Sequence, residues 1–146
     1  MNRLLAAAPL LLLLPAASDL PIQAGKWQST VTILDVKMPN APPGVVEGMR
    51  GKPQVFTNCV TPAQAASGPK TLMQATNGKC RYTSFSAAGG RITAEMTCNF
   101  GTGVMTARSS GTYTATSLDM TGSSTTTGRM PMQMKSHTVA KRLGGC

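Results

Sequence analysis

Apolar and polar residues alternate along most of this chain in short runs of period two. Such alternation marks β-strands with one sheltered face and one wet face. Lys26 to Val36 opens the series, with Trp27, Val31 and Ile33 on one face and Gln28, Thr30 and Thr32 on the other. Gln54 to Val60 reads as a second strand. Between them, residues 38–53 (MPNAPPGVVEGMRGKP) read as a long loop, because Pro39, Pro42, Pro43 and Pro53 each remove a backbone donor. One helix start stands out. Thr61 is placed to cap, Pro62 takes the first helical position, and Gln64 completes a Thr-x-x-Gln capping box. Gly68-Pro69 stops that helix, which the pattern confines to residues 62–67.

Two further alternating runs, Cys80–Ser86 and Arg91–Cys98, flank Ala87-Ala88-Gly89-Gly90 and predict a hairpin. An odd-numbered loop centred on Gly89 sets Cys80 against Cys98, Tyr82 against Met96 and Ser84 against Ala94, all on one face. Strands over Val104–Ser109, Thr112–Met120 and Arg129–Lys141 follow, with turns at Gly101-Thr102-Gly103, Ser110-Gly111 and Gly122–Gly128. The 19 threonines suit strands. The prediction is an all-β antiparallel meander of about seven strands with one short helix. It curls into a partial barrel, which covers its edges, or stays an open sheet.

The first residues follow a different pattern. Asn2-Arg3 gives a short positive start, Leu4 to Leu14 an apolar run broken by Pro9, and Ala16-Ala17-Ser18 a small-residue cleavage site. The run is shorter than the roughly 20 apolar residues of a membrane span, and no cysteine follows it closely enough to take a lipid anchor. Residues 1–18 are therefore expected to be a signal peptide, and residues 19–146 a single domain exported to the periplasm of a Gram-negative bacterium. Fourteen Lys and Arg against five Asp and Glu give a net charge of +9. The basic residues are dispersed without a block, which argues against a nucleic-acid tail. A diffuse positive field favours solubility and, in an exported protein, anionic envelope surfaces.

Export changes the meaning of the four cysteines, Cys59, Cys80, Cys98 and Cys146. Their spacing contains no Cys-x-x-Cys and no cysteine–histidine cluster, so zinc and thioredoxin-type chemistry are disfavoured. An even count in an oxidising compartment implies two disulfides. The hairpin register selects Cys80–Cys98, which leaves Cys59–Cys146.

Catalytic signals are sparse. His137 is the only histidine, and its neighbours Ser136 and Thr138 point to the opposite face of a strand. Asp19, Asp35, Glu47, Glu95 and Asp119 show no paired spacing suited to acid–base work. Gly101-Thr102-Gly103 lacks the helix and lysine of a phosphate loop. Met130, Met132 and Met134 alternate, and Met120 stands near the end of the preceding predicted strand, so four thioethers are candidates for Cu(I). The competing role for this row is core filling in a chain poor in aromatics.

Five short motifs, in order, resemble the bacterial domain-of-unknown-function family 3617, small exported cysteine-containing proteins. They are Gly25-Lys26-Trp27, Cys59-Val60-Thr61-Pro62, Cys80 with Gly89-Gly90 and Cys98, Gly111-Thr112-Tyr113, and Arg142-Leu143-Gly144-Gly145-Cys146. Lys26 departs from the apolar residue often found before the tryptophan. The resemblance implies the cysteine frame and the exported location and carries no activity with it. The function expected is a non-enzymatic periplasmic binding domain without a cofactor, taking a small apolar ligand or an envelope component. The alternatives are an envelope structural or interaction protein with no pocket and, third, Cu(I) binding through the methionine row.

Overall fold

The computed structural model describes residues 21–68 and 76–146; the leader expected over 1–18 lies outside them. Seven strands form one antiparallel sheet: β1 (Gly25–Lys37), β2 (Pro53–Val60), β3 (Cys80–Ala88), β4 (Arg91–Asn99), β5 (Val104–Tyr113), β6 (Ser117–Thr126) and β7 (Met132–Gly144). Their order is β2-β1-β7-β6-β5-β4-β3. Strands three to seven are a meander, and the last strand returns beside the first. Only β2 and β3, though consecutive, do not pair, so the expected curl stops short of closure and the sheet keeps two edges.

The hairpin registers cross-strand as expected at one end and not at the other. Cys80 faces Cys98 and Tyr82 faces Met96, but a bulge between Tyr82 and Ser84 then sets Phe85, not Ser84, against Ala94. The bulge keeps both rings on one face, where Tyr82 and Phe85 centroids lie 5.4 Å apart. The loop is Gly89-Gly90 alone, both at positive φ, as a two-residue primed turn requires. The odd-numbered loop is thus corrected: the missing residue is supplied by the bulge.

Two of the expected turns lie inside strands instead. β5 runs through Ser110 and Gly111 to Tyr113, and the chain reverses at Thr114–Thr116, where Thr114 N–H donates to the Ser117 carbonyl at 2.9 Å. Gly111 serves close approach instead of turning, since a Cβ there would collide with the Asp119 carbonyl oxygen. β6 likewise continues through Gly122 to Thr126. The last strand starts at Met132, not Arg129. The helix over Pro62–Ser67, α2, carries its capping box: Gln64 N–H donates to Thr61 Oγ1 at 3.2 Å and Thr61 N–H to Gln64 Oε1 at 2.9 Å. A second short helix, α1 (Val45–Met49), interrupts the segment read as a continuous loop. It forms in the proline-free stretch between Pro43 and Pro53, with Glu47 in its first turn, where a carboxylate favours the helix N-terminus.

Directly opposed residues share a face, so the registers sort the side chains into two sets. One set holds Trp27, Ile33, Val36, Ile92, Cys98 and Ala140, all buried. Ala87 and Ile92 centre a cluster with Ile22, Phe85, Tyr113, Leu118 and Met120. The middle row of the same face is small: Ser136, Gly122, Ser109 and Ala94 stand in register. The opposite face is polar and exposed, a ladder of Thr, Ser, Lys and Arg.

Candidate functional site

Four of the five motifs that carry the resemblance, with the Gly89-Gly90 turn of the fifth, lie at one end of the sheet, where Tyr113 N–H donates to the Gly90 carbonyl at 2.9 Å, and their work there is structural. Trp27 is opposed by Arg142 on β7 and Asn58 on β2. Its indole N–H donates to the Gln23 carbonyl at 2.9 Å, and Arg142 Nε–H donates to the Ala24 carbonyl at 2.7 Å. Gly25 has no Cβ where one would strike the Arg142 side chain and the Gly144 carbonyl. The Cys59–Cys146 bridge closes this end, with Cα atoms 5.9 Å apart. Cys80–Cys98 is the second bridge, at the far end, and no described cysteine is free. Both pairings agree with the hairpin argument. The most recognisable residues therefore clasp the first and last strands together.

The opposite end carries a pocket of about 490 Å³. Three separate segments build it: Met38 just past β1, Phe100 to Gly103 between β4 and β5, and Thr127 to Met130 between β6 and β7, with Met132 at the start of β7 as a wall. Its lining is mostly apolar, from Met38, Phe100, Met130 and Met132, with Arg129 as its one charged residue. The two connections are tied together. Arg129 N–H donates to the Thr102 carbonyl at 3.2 Å and Thr127 N–H to the Val104 carbonyl at 2.9 Å. A Cβ on Gly103 would strike the Thr127 carbonyl, and one on Gly128, at φ 105°, the Thr102 carbonyl. Gly101-Thr102-Gly103, a weak phosphate-loop candidate by composition, is thus part of an apolar pocket wall. Phe100 is 48% exposed and Met130 71% exposed, so the mouth presents apolar surface to water.

The four methionines singled out for Cu(I) do not gather. Met130 precedes β7 and sits at the pocket mouth, and Met132 lines the pocket. Met134 faces Ser124, whereas Met120 faces Thr138, four residues further along β7 or about 13 Å. Met120 packs instead against the Ala87–Ile92 cluster. The pocket recruits Met38 in its place, just past the end of β1, which pairs with β7 through Lys37 and Gln133.

His137 is not isolated. Its Nε2 donates to Asp119 Oδ1 at 2.7 Å on the exposed face, a diagonal contact between β6 and β7, where Thr121 directly opposes His137. This carboxylate orients the ring and sets its tautomer. The other described strand carboxylates are also paired: Asp35 with Arg50 at 2.9 Å and Glu95 with Arg108 at 3.2 Å. These exposed pairs contribute little stability, and among the described residues Lys26, Lys37, Arg81, Arg91, Lys135 and Lys141 stand on the same face without an ion pair. A shallow open groove of about 450 Å³ crosses that face, lined by hydroxyls such as Thr93, Ser110 and Thr121 beside Lys135. On the sheltered face, burial raises the Tyr82 phenol above its ordinary value of 10.0, so it stays neutral at physiological pH.

Pairing that spans many residues hid these groupings. Phe100, Met38 and Arg129 lie in three connections, and nothing in their local sequence ties them to one another. The visible signal was indirect: two glycine-bearing turns, each beside a large apolar residue.

Among the described residues no group of three or more His, Cys, Asp or Glu is placed to hold a metal ion, and no helix is long and apolar enough to cross a membrane. No curated protein and no solved structure matches the chain. A family model described as a protein of unknown function (DUF3617) matches residues 22–146, nearly the whole chain, and the chain belongs to that family.

Proposed function

We propose that this protein is an exported, non-enzymatic periplasmic domain that binds a small apolar ligand at the open end of its sheet. The observation that carries the reading is the pocket walled by Met38, Phe100, Met130 and Met132. Its volume lies within the range of small-molecule sites, which are mostly apolar with few polar groups. Unbranched methionines adapt to ligands of varied shape. The middle of the sheltered face, filled by small side chains in register, offers no comparable apolar walls. Two disulfides and the leader over residues 1–18 support export. The test is titration with a neutral solvatochromic probe. Saturable binding is expected, weakened at least tenfold by Met132→Glu, with an unchanged far-ultraviolet spectrum; a probe that binds the variant equally well would place binding elsewhere.

A second reading rests on the exposed face, where six Lys and Arg without an ion pair among the described residues gather on one side of the sheet. Such a face suits docking onto an anionic envelope surface. Co-flotation with vesicles rich in anionic lipid, falling steeply as salt rises, is the expected behaviour; salt-independent or absent flotation would remove this reading.

A further inference from the structure

We infer that the pocket selects an anionic amphiphile, a single apolar chain ending in a carboxylate or phosphate head held by Arg129. The inference rests on the binding reading above and adds the chemistry of the ligand's polar end.

Arg129 is the residue that makes the pocket more than an apolar depression. Its backbone is fixed, because its N–H donates to the Thr102 carbonyl and Gly128 before it takes a left-handed φ of 105° against that carbonyl. Arg129 lines the same space as Phe100, Met130 and Met132 and is exposed at its mouth. No carboxylate lines the pocket, and among the described residues Arg129 makes no salt bridge. Three of the four described acids are engaged elsewhere, Asp35 by Arg50, Glu95 by Arg108 and Asp119 by His137, and the fourth, Glu47 on α1, does not line the pocket.

An apolar chain alone, entering beside this guanidinium, would strip water from an unpaired charge, which opposes binding. A chain bearing an anionic head restores a partner. The planar guanidinium fork matches both oxygens of a carboxylate or phosphate, and charge-assisted bonds of this kind are the strong ones. The overall charge of +9 favours the same sign of ligand and disfavours a cationic head. The apolar lining is made of flexible thioethers and one ring, which suits an acyl or alkyl chain better than a rigid polar solute.

The experiment compares four ligands of equal chain length below their micelle concentrations: laurate, dodecyl phosphate, dodecanol and dodecyltrimethylammonium. Acetate and inorganic phosphate serve as heads without chains. Laurate and dodecyl phosphate are expected to bind about tenfold or more tighter than dodecanol, and the ammonium compound more weakly than dodecanol. Arg129→Gln should abolish the preference for anions by weakening laurate and dodecyl phosphate, with dodecanol bound no more weakly than by wild type and thermal stability unchanged, and Arg129→Lys should retain part of the preference. Equal affinity for laurate and dodecanol would overturn the inference while leaving the apolar site standing. So would a preference that survives Arg129→Gln. Acetate or phosphate binding as tightly as the long-chain anions would also overturn it, by showing an anion site that ignores the chain. Failure of dodecanol and all other ligands to bind would overturn both the inference and the reading beneath it.

Discussion

Replacing Cys59 and Cys146 together by serine is expected to destabilise the protein by about 4–5 kcal/mol, against about 3 kcal/mol for the Cys80/Cys98 pair. The difference follows from the loops closed, with sequence separations of 87 and 18 residues. The chain-entropy model gives the longer loop the larger restriction of the unfolded state. A domain with few buried residues has little reserve beyond the usual 5–15 kcal/mol, so the Cys59/Cys146 variant should be close to unfolding at 37 °C. Local structure adds to the case. β2 pairs only with β1, and all of it but Val60 is exposed. Without its bridge, β2 and the α2 turn behind it should lose hydrogen-exchange protection before the β4–β7 strands do. Urea unfolding of both double variants measures the order directly. A smaller loss for Cys59/Cys146 than for Cys80/Cys98 would contradict the account. Alkylation of the intact protein without reduction should add no mass, since both pairs are closed.

Trp27→Ala should cost about 3–5 kcal/mol, the range for a large aromatic removed from a packed site. Trp27 is 5% exposed and is the only tryptophan. Its loss removes the ring between β2 and β7 and leaves the Gln23 carbonyl without its donor. Trp27→Phe should recover most of the packing but not the hydrogen bond, and so fall between wild type and Trp27→Ala. Thermal unfolding followed by circular dichroism separates the three. If Phe and Ala variants match wild type, the clasp is not what holds the first strand to the last.

Much of the fold was legible from period-two alternation, because a residue that faces the core on a strand is followed by one that faces water. That rule located β1, the β3–β4 hairpin and the sheltered set that includes Trp27 and Ile33. The capping box located α2 because side chain and backbone satisfy each other within one turn. Gly111 and Gly122 misled, since glycine is equally at home in a turn and at a close backbone crossing, and only the crossing strand tells which. The bulge at Thr83 was invisible for a related reason: an extra residue leaves no compositional trace when both flanking rings remain apolar. The site was less legible than the fold. His137 and Asp119 meet through strand pairing, and the pocket draws on three connections far apart in sequence. Alternation describes which way a side chain faces along one strand and carries no information about which strand ends lie together.

The most direct test of the proposed binding role is native mass spectrometry of the protein released gently from the cells that make it. The account predicts a bound small-molecule mass that mild activation removes and that Met132→Glu protein lacks. Bare protein in every gentle preparation, from wild type and variant alike, would contradict it.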